Sequence, residues 1–167
     1  TPKTPYFTFT RDGVVNGNFE RGNFLNETFP GWSYNGGSGN ATIDGNYLGL
    51  KSSGACNKVH NRFYIPGNAL GIQFDYLIYE EDDENPFPEV DRLVVLLNNN
   101  PAMNPIMMDS TMTEWASVWL PVANARNSIK TLEFKLVDEC GGSSEISSEV
   151  RIDNIKFIID STASVMD

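Results

Sequence analysis

Apolar and polar residues alternate along short stretches of this chain instead of recurring every three or four residues. Stretches rich in Val, Ile, Phe, Tyr and Thr are separated by Gly, Asn, Pro and Ser, the pattern of β-strands joined by turns. No segment keeps a helical apolar period over more than two turns. The chain is therefore predicted to be all-β, and its many short strands favour an antiparallel sandwich. Strands are predicted near residues 6–10, 14–19, 39–43, 46–51, 57–65, 69–79, 90–98, 115–122, 129–137 and 148–159.

The same alternation predicts which side chains point into the core. In the strand at 69–79, the core face is predicted to carry Leu70, Ile72, Phe74, Tyr76 and Ile78. In the same way, the strand at 90–98 is predicted to place Leu93, Val95 and Leu97 inward, and the strand at 129–137 Leu132, Phe134 and Leu136. The side chains of opposite parity are predicted to share one polar outer face of a sheet: Gln73, Asp75, Tyr79, Arg92, Glu133 and Lys135.

The last strand changes its apolar phase, since Val150 and Ile152 have one parity and Ile155 and Phe157 the other. The slip falls at Asp153-Asn154 and predicts a β-bulge there. The N-terminal strand predicted at 14–19 is followed directly by an acid, Glu20. The N-terminal and C-terminal strands of a sandwich commonly lie close together. Two carboxylates brought together need a cation, or one of them must stay protonated. Calcium suits such a site, because it accepts carboxylate and carbonyl oxygens in irregular geometry.

Length and charge restrict the class of protein. The 167 residues are enough for one domain with one core. The opening TPKTP is typical of a Thr/Pro linker, so residues 1–5 are assigned as a linker remnant, 6–160 as a single module and 161–167 as a tail. The net charge of -10 disfavours nucleic-acid binding. No apolar stretch is long enough to insert into a membrane, and the module is expected to be monomeric.

Two cysteines, Cys56 and Cys140, match no zinc or redox motif. In an oxidising compartment they would form a disulfide; the alternative is two buried free thiols. Two loops also stand out. Residues 80–89 carry six acids in ten residues and are interpreted as a solvated loop. Residues 98–114 are Met-rich and too long for a plain hairpin connection, so they are expected to border a functional surface, with their methionines packing the loop.

Five short motifs occur in a characteristic order: NGNFE at 16–20, GW at 31–32, YLGLKSS at 47–53, TEW at 113–115 and VRIDNIKF at 150–157. Together they resemble the jelly-roll carbohydrate-binding modules with a galactose-binding-like fold, of the family four, nine and twenty-two type. The resemblance covers residues from about 14 to 159. It implies a structural calcium that joins the chain ends, held by the carboxylates of Glu20 and Asp153 and the backbone carbonyls of Asn18 and Lys51. It also implies that Trp32 and Trp115 are core residues.

Parity singles out Trp119, because Val118, Leu120 and Val122 are predicted to point inward and leave Trp119 outside. Sugar binding needs flat aromatic rings and planar polar groups. The candidate ligand-binding residues are Trp119, Arg92, Glu133, Gln73, Asp75 and Tyr79. The alternative is that a loop covers Trp119 as a second packing layer.

Two functions follow from these observations. The first is a non-catalytic carbohydrate-binding module of a secreted multidomain protein, which binds a polysaccharide on a sheet face. The second is a structural or adhesion domain of a cell-surface protein, with the same fold and no sugar site. An enzyme is not expected, since the single histidine, His60, lies on a predicted strand and no serine has a nucleophile motif around it.

Overall fold

The computed structural model describes residues 32–34, 40–43, 47–51, 57–80, 91–137 and 148–160. In these ranges the chain forms strands and one short 3-10 turn, Ala123–Ala125. No helix of the described part is long and apolar enough to cross a membrane. The strands are β1 (Trp32–Tyr34), β2 (Asn40–Ile43), β3 (Leu48–Lys51), β4 (Asn57–Ile65), β5 (Ala69–Glu80), β6 (Arg92–Leu97), β7 (Asn100–Pro101), β8 (Ile106–Met107), β9 (Ala116–Pro121), β10 (Ser128–Val137) and β11 (Glu149–Ile159).

The predicted strands between residues 39 and 159 are confirmed, with ends that shift by one or two residues. The strands predicted at 6–10 and 14–19 lie outside the described residues, as do the linker 1–5 and the tail 161–167. The sequence pattern did not predict β1, β7 or β8. These strands have only two or three residues, too few for an alternation to be recognised.

The strands form two antiparallel sheets. One sheet has six strands in the order β1-β4-β10-β6-β7, with β8 also paired to β6. The other has five strands in the order β2-β3-β11-β5-β9. The predicted all-β antiparallel sandwich is therefore confirmed.

The core lies between the two sheets, where their apolar faces meet. Phe74 of the five-stranded sheet packs edge-on against Phe134 of the six-stranded sheet, with ring centroids 5.1 Å apart. Phe63 and Phe157 make a second such contact at 5.4 Å. Offset or edge-on aromatic pairs add to the gain from burying the rings. These contacts hold the two sheets together.

The bulge predicted in β11 is present. Asp153 pairs with Asp75 and Lys156 with Gln73, so that two residues of β11 face one residue of β5. Asn154, the first of the two, has a φ of 52°, a left-handed conformation that Asn tolerates better than most residues. The extra residue explains why the buried parity changes between Ile152 and Ile155.

The predicted inward orientation of Leu70 is wrong, since Leu70 is 37% exposed. Ile158 pairs with Gly71 and Ile159 with Ala69, so Leu70 is the extra residue of another irregularity in the ladder. A bulge turns its side chain to the opposite face. The other predicted inward residues of β5 are buried or half-buried.

The Met-rich segment 98–114 folds back along β6 and is not an open loop. Through β7 it forms a hairpin with β6, and through β8 it pairs with the beginning of β6. Met108 is buried, and the backbone N–H of Ile78 donates a 3.5 Å hydrogen bond to the sulfur of Met112. These two methionines pack the loop, as the sequence predicted.

Candidate functional site

The structure divides the predicted polar face between the two sheets. Gln73, Asp75 and Tyr79 lie on β5 in the five-stranded sheet, as does Trp119 on β9. Arg92, Glu133 and Lys135 lie on β6 and β10 in the six-stranded sheet. Stacked sheets are about 10 Å apart and their outer faces point in opposite directions. The prediction of one shared face is therefore wrong, because the short-range alternation does not tell which sheet a strand joins.

Trp119 stands on the outer face of the five-stranded sheet and is 53% exposed. It pairs with Gln73 on β5, and its indole leans diagonally across Gly71. A Cβ atom at position 71 would lie 2.6 Å from the indole Cε2 of Trp119, and closer still to Nε1. The missing side chain thus creates the space that the Nε1–Cε2 edge of the indole occupies. The predicted outward parity of Trp119 is confirmed.

A chain of hydrogen bonds crosses three strands beside Trp119. Ser117 Oγ on β9 donates to Asp75 Oδ1 on β5 at 2.6 Å. From the other side, the side-chain amide of Asn154 on β11 donates to Asp75 Oδ2 at 3.0 Å. The backbone N–H of Asn154 donates to Asp153 Oδ1 at 2.7 Å. The two carboxylates, which are direct cross-strand partners, are held in position by these donors.

Arg151 holds a second cluster, with aromatic rings, further along β11. Its guanidinium carbon lies 3.4 Å from the ring centroid of Tyr79 and 4.6 Å from that of Tyr47. Its Nε donates to Glu149 Oε2 at 2.8 Å. Partial burial acts to lower the pKa of Arg151, but the hydrogen bond and charge of Glu149 and the two tyrosines raise it above the ordinary value. Arg151 therefore keeps its positive charge and fixes both rings by cation–π contact.

Trp115 is 43% exposed, so its predicted place in the core is wrong. It precedes β9 and has the parity of Ser117 and Trp119 rather than that of the buried Leu120. The resemblance assigned this position to the core, whereas the parity of β9 would have placed it outside. An exposed Trp thus lies on either side of Ser117 along the same edge of the sheet.

The described aromatic groups lie at both ends of a polar strip. Trp119 pairs with Gln73 of β5, and Tyr79 lies six residues further along the same strand. At 3.3 Å per residue, these two positions are about 20 Å apart. The Ser117–Asp75–Asn154 bridge lies between them. We name this outer surface of β9, β5 and β11 the Trp119 face. Flat rings that flank planar hydrogen-bonding groups can contact an extended ligand at several points.

Sequence reasoning missed Gly71, Asn154 and Arg151. Gly71 carried a signal, since a glycine inside a strand often marks the close approach of another group. Arg151 has the parity opposite to Val150 and Ile152, so its outward direction was readable. Its contacts with Tyr47 and Tyr79 were not, because they depend on the pairing of β11 with β3 and β5.

The predicted calcium ligands do not all fit one ion. Lys51 pairs with Glu149, and Asp153 follows four residues later on the same strand, a separation of about 13 Å. Calcium–oxygen distances are about 2.3–2.6 Å, so the Lys51 carbonyl and the Asp153 carboxylate cannot bind the same calcium. Asn18 and Glu20 lie outside the described residues. Within the described ranges, no three acidic, His or Cys side chains form a metal-binding group.

Cys56 and Cys140 also lie outside the described residues, but the strands next to them are neighbours. Asn57, the first residue of β4, pairs with Leu136 near the end of β10. Cys56 immediately precedes Asn57, and Cys140 follows the end of β10 at Val137 by three residues. The described residues next in sequence to the two cysteines, Asn57 and Val137, therefore lie at the same end of one strand pair.

Comparison with known proteins bears on the fold. No protein-family model and no curated protein matches the sequence. The secreted serine protease VesC from Vibrio cholerae is similar in structure, with a TM-score of 0.53, 16% identity, and coverage of 75% of this chain and 24% of that one. Tailspike protein 4 of bacteriophage CBA120, in its enzymatically active domain, has a TM-score of 0.52 and 12% identity, with coverage of 89% and 21%. The chain thus spans about a quarter and a fifth of these two.

TmCBM61, solved in complex with β-1,4-galactotriose, matches over nearly its whole length. The TM-score is 0.51 at 9% identity, with coverage of 87% of this chain and 96% of that one. At identities this low, the structural similarity establishes a shared fold and nothing more. The chain is an antiparallel jelly-roll β-sandwich of the kind that this carbohydrate-binding module has.

Proposed function

We propose that this chain is a non-catalytic carbohydrate-binding module of a secreted multidomain protein. It binds a polysaccharide on the Trp119 face. The observation that carries the proposal is the exposed indole laid across Gly71, beside carboxylates fixed by Ser117 and Asn154. TmCBM61, which binds β-1,4-galactotriose, supports it, because a sandwich of this fold serves as a sugar-binding scaffold there.

The chemistry of the face suits a sugar chain. The apolar C–H face of a sugar ring packs on the indole of Trp119, as aromatic side chains provide large rigid contact area. Hydroxyl groups next to that ring donate to Asp75 and accept from Gln73 or Lys156, which pair with one another across β5 and β11. Further along, Tyr79 and Arg151 offer a second ring and a fixed donor. The open strip accommodates a polymer rather than a single enclosed molecule.

The test is affinity electrophoresis against a panel of soluble plant, algal and microbial polysaccharides. We expect retardation by at least one of them, and its loss in Trp119→Ala. Loss of one stacking contact costs about 1–3 kcal/mol by analogy with base stacking. The matched control is Glu133→Ala, because Glu133 lies on the other sheet, and it should be retarded like the wild type.

Three results would contradict the proposal in different ways. If no polysaccharide retards the wild type, the domain acts as a structural or adhesion module. If Trp119→Ala binds normally, the site is not on this face. New reducing ends in the retained polysaccharide would show catalysis.

A further inference from the structure

A cleft opens at one end of the sandwich, between the end of β6 and the end of β9. Its volume is about 280 Å³, close to the lower end of small-molecule sites. The apolar part of its wall includes Leu97, Pro121 and Val122. The polar part consists of Lys130 and the asparagines that surround it: Asn98, Asn100 and Asn124.

One rim of the cleft is a rigid turn. Leu97 pairs with Asn100, so Asn98 and Asn99 are the two loop residues of a tight hairpin. Both have positive φ, 52° and 67°, as a type I′ turn requires and Asn permits. The backbone N–H of Asn98 donates to the carbonyl of Thr131 at 2.7 Å, and the Asn100 amide donates to the Asn98 carbonyl at 3.2 Å. The backbone of this rim and the Asn100 amide are therefore held in place by bonds within the protein.

Lys130 is the unusual member of the cleft. It has the inward parity of Leu132, Phe134 and Leu136 on β10 and is half-buried. No carboxylate of the described residues pairs with it. The Lys130 side chain therefore lines the cleft at the open end of the core and brings a positive charge to it. A charge held there attracts an anion of matching size.

We propose that this cleft binds a carboxylated sugar residue, that is, a uronate. The carboxylate pairs with the Lys130 ammonium, and the ring hydroxyls bond to the asparagine amides, which both donate and accept. The C–H groups of the ring pack on Pro121 and Val122. A volume of about 280 Å³ admits one ring and not a chain.

The cleft also adjoins the Trp119 face. The inference that a polymer enters the cleft rests on the proposed function, because that polymer would have to bind the Trp119 face. Pro121 has the same outward parity as Trp119 and lies two residues further along β9, about 7 Å away. A chain stacked on Trp119 that continues past the end of β9 brings its next residue to the cleft. The preferred polymer would then carry a uronate at the one position that reaches the cleft.

The test for the cleft uses a monosaccharide, so that it does not depend on the Trp119 face. Isotope-labelled protein is titrated with galacturonate and, separately, with galactose, at low salt and neutral pH. Galacturonate should shift the backbone and side-chain amide resonances of Asn98, Asn100 and Asn124, and galactose should shift them more weakly. Added salt should weaken the galacturonate effect, since the carboxylate contact is electrostatic.

Lys130→Met should weaken galacturonate binding about tenfold or more, the usual effect of losing a charged hydrogen-bond partner. The control is Lys135→Met, which removes the same charge from the outer face of the same strand and should bind like the wild type. Asn124→Asp, at an exposed position, should also weaken binding by repelling the carboxylate, and it provides an independent test if Lys130→Met folds poorly.

Each other outcome is informative. Equal shifts with galactose, no shifts at any soluble concentration, or unchanged binding in both Lys130→Met and Asn124→Asp would overturn the inference. If galacturonate binds the cleft but no polysaccharide retards the protein, the cleft stands and the proposed polysaccharide site fails. If neutral polysaccharides bind through Trp119 and galacturonate does not shift the cleft, only the cleft inference fails.

Discussion

Gly71→Ala removes no contact and adds one methyl group beneath the indole of Trp119. The new Cβ would lie 2.6 Å from Cε2 of Trp119 and 2.7 Å from the backbone carbonyl oxygen of Leu120. The indole can swing away, but the carbonyl belongs to the paired strand β9 and can move only with it. We therefore expect Trp119 to leave its position over β5 and the edge strand to shift slightly.

The structure gives the size of both effects. Overpacking of this kind costs about 1–3 kcal/mol of folding free energy. Loss of the stacking platform costs about 1–3 kcal/mol of binding free energy, or about 5- to 150-fold in Kd at 1.4 kcal/mol per factor of ten. Gly67→Ala is the matched control. The three atoms nearest to its Cβ would all belong to the exposed side chain of Asn127, with Oδ1 at 2.6 Å, and that side chain can move at the cost of its hydrogen bond from the Tyr64 hydroxyl.

Calorimetric titration with a retained polysaccharide and thermal unfolding measure the two effects separately. Gly67→Ala should bind like the wild type. In a Trp119→Ala background, where binding is already lost, Gly71→Ala should still cost some stability, because the contact with the Leu120 carbonyl remains. Unchanged affinity and unchanged Trp fluorescence in Gly71→Ala would refute the reasoning, because the pose of Trp119 would then not depend on Gly71.

Two further predictions concern the ends of the chain and the cysteines. Cys56 and Cys140 should form a disulfide in the mature protein, supported by the pairing of their flanking strands. Thiol titration of the unfolded, unreduced protein should find no free thiol; two reactive thiols would contradict this. A calcium ion held by Glu20 should raise the melting temperature, because a ligand of the native state stabilises it by RT ln(1 + [L]/Kd). A chelator should lower the melting temperature of the wild type and leave that of Glu20→Gln unchanged. An unchanged melting temperature in both proteins would contradict the calcium site.

The structure changes which part of the calcium prediction can be tested. Lys51 and Asp153 cannot serve one ion, because four residues of β11 separate their positions. Asp153→Asn therefore reports whether the ion lies at the bulge. The same substitution would alter the Trp119 face, so melting temperature and polysaccharide binding have to be measured together for this variant.

The sequence by itself determined the local properties of this protein. Alternation fixed the strands from 57–65 to 148–159, the outward direction of Trp119 and the phase slip at Asp153. These depend only on the period-two geometry of a strand and on the burial of apolar side chains. The methionine packing of the 98–114 segment followed from the same preference.

The tertiary structure decided which strands become neighbours. Asp75 and Glu133 both point away from the core on their own strands. β5 and β10 nevertheless belong to different sheets, whose outer faces point in opposite directions. Only the pairing of β5 with β9 brings Gly71 beneath Trp119, and only the pairing with β11 brings Asn154 to Asp75. The cleft at Lys130 likewise needs the ends of three strands to meet. Such contacts join residues that are far apart in the chain, and the free energy that selects them comes from the packing of whole sheets, which no short stretch of sequence contains.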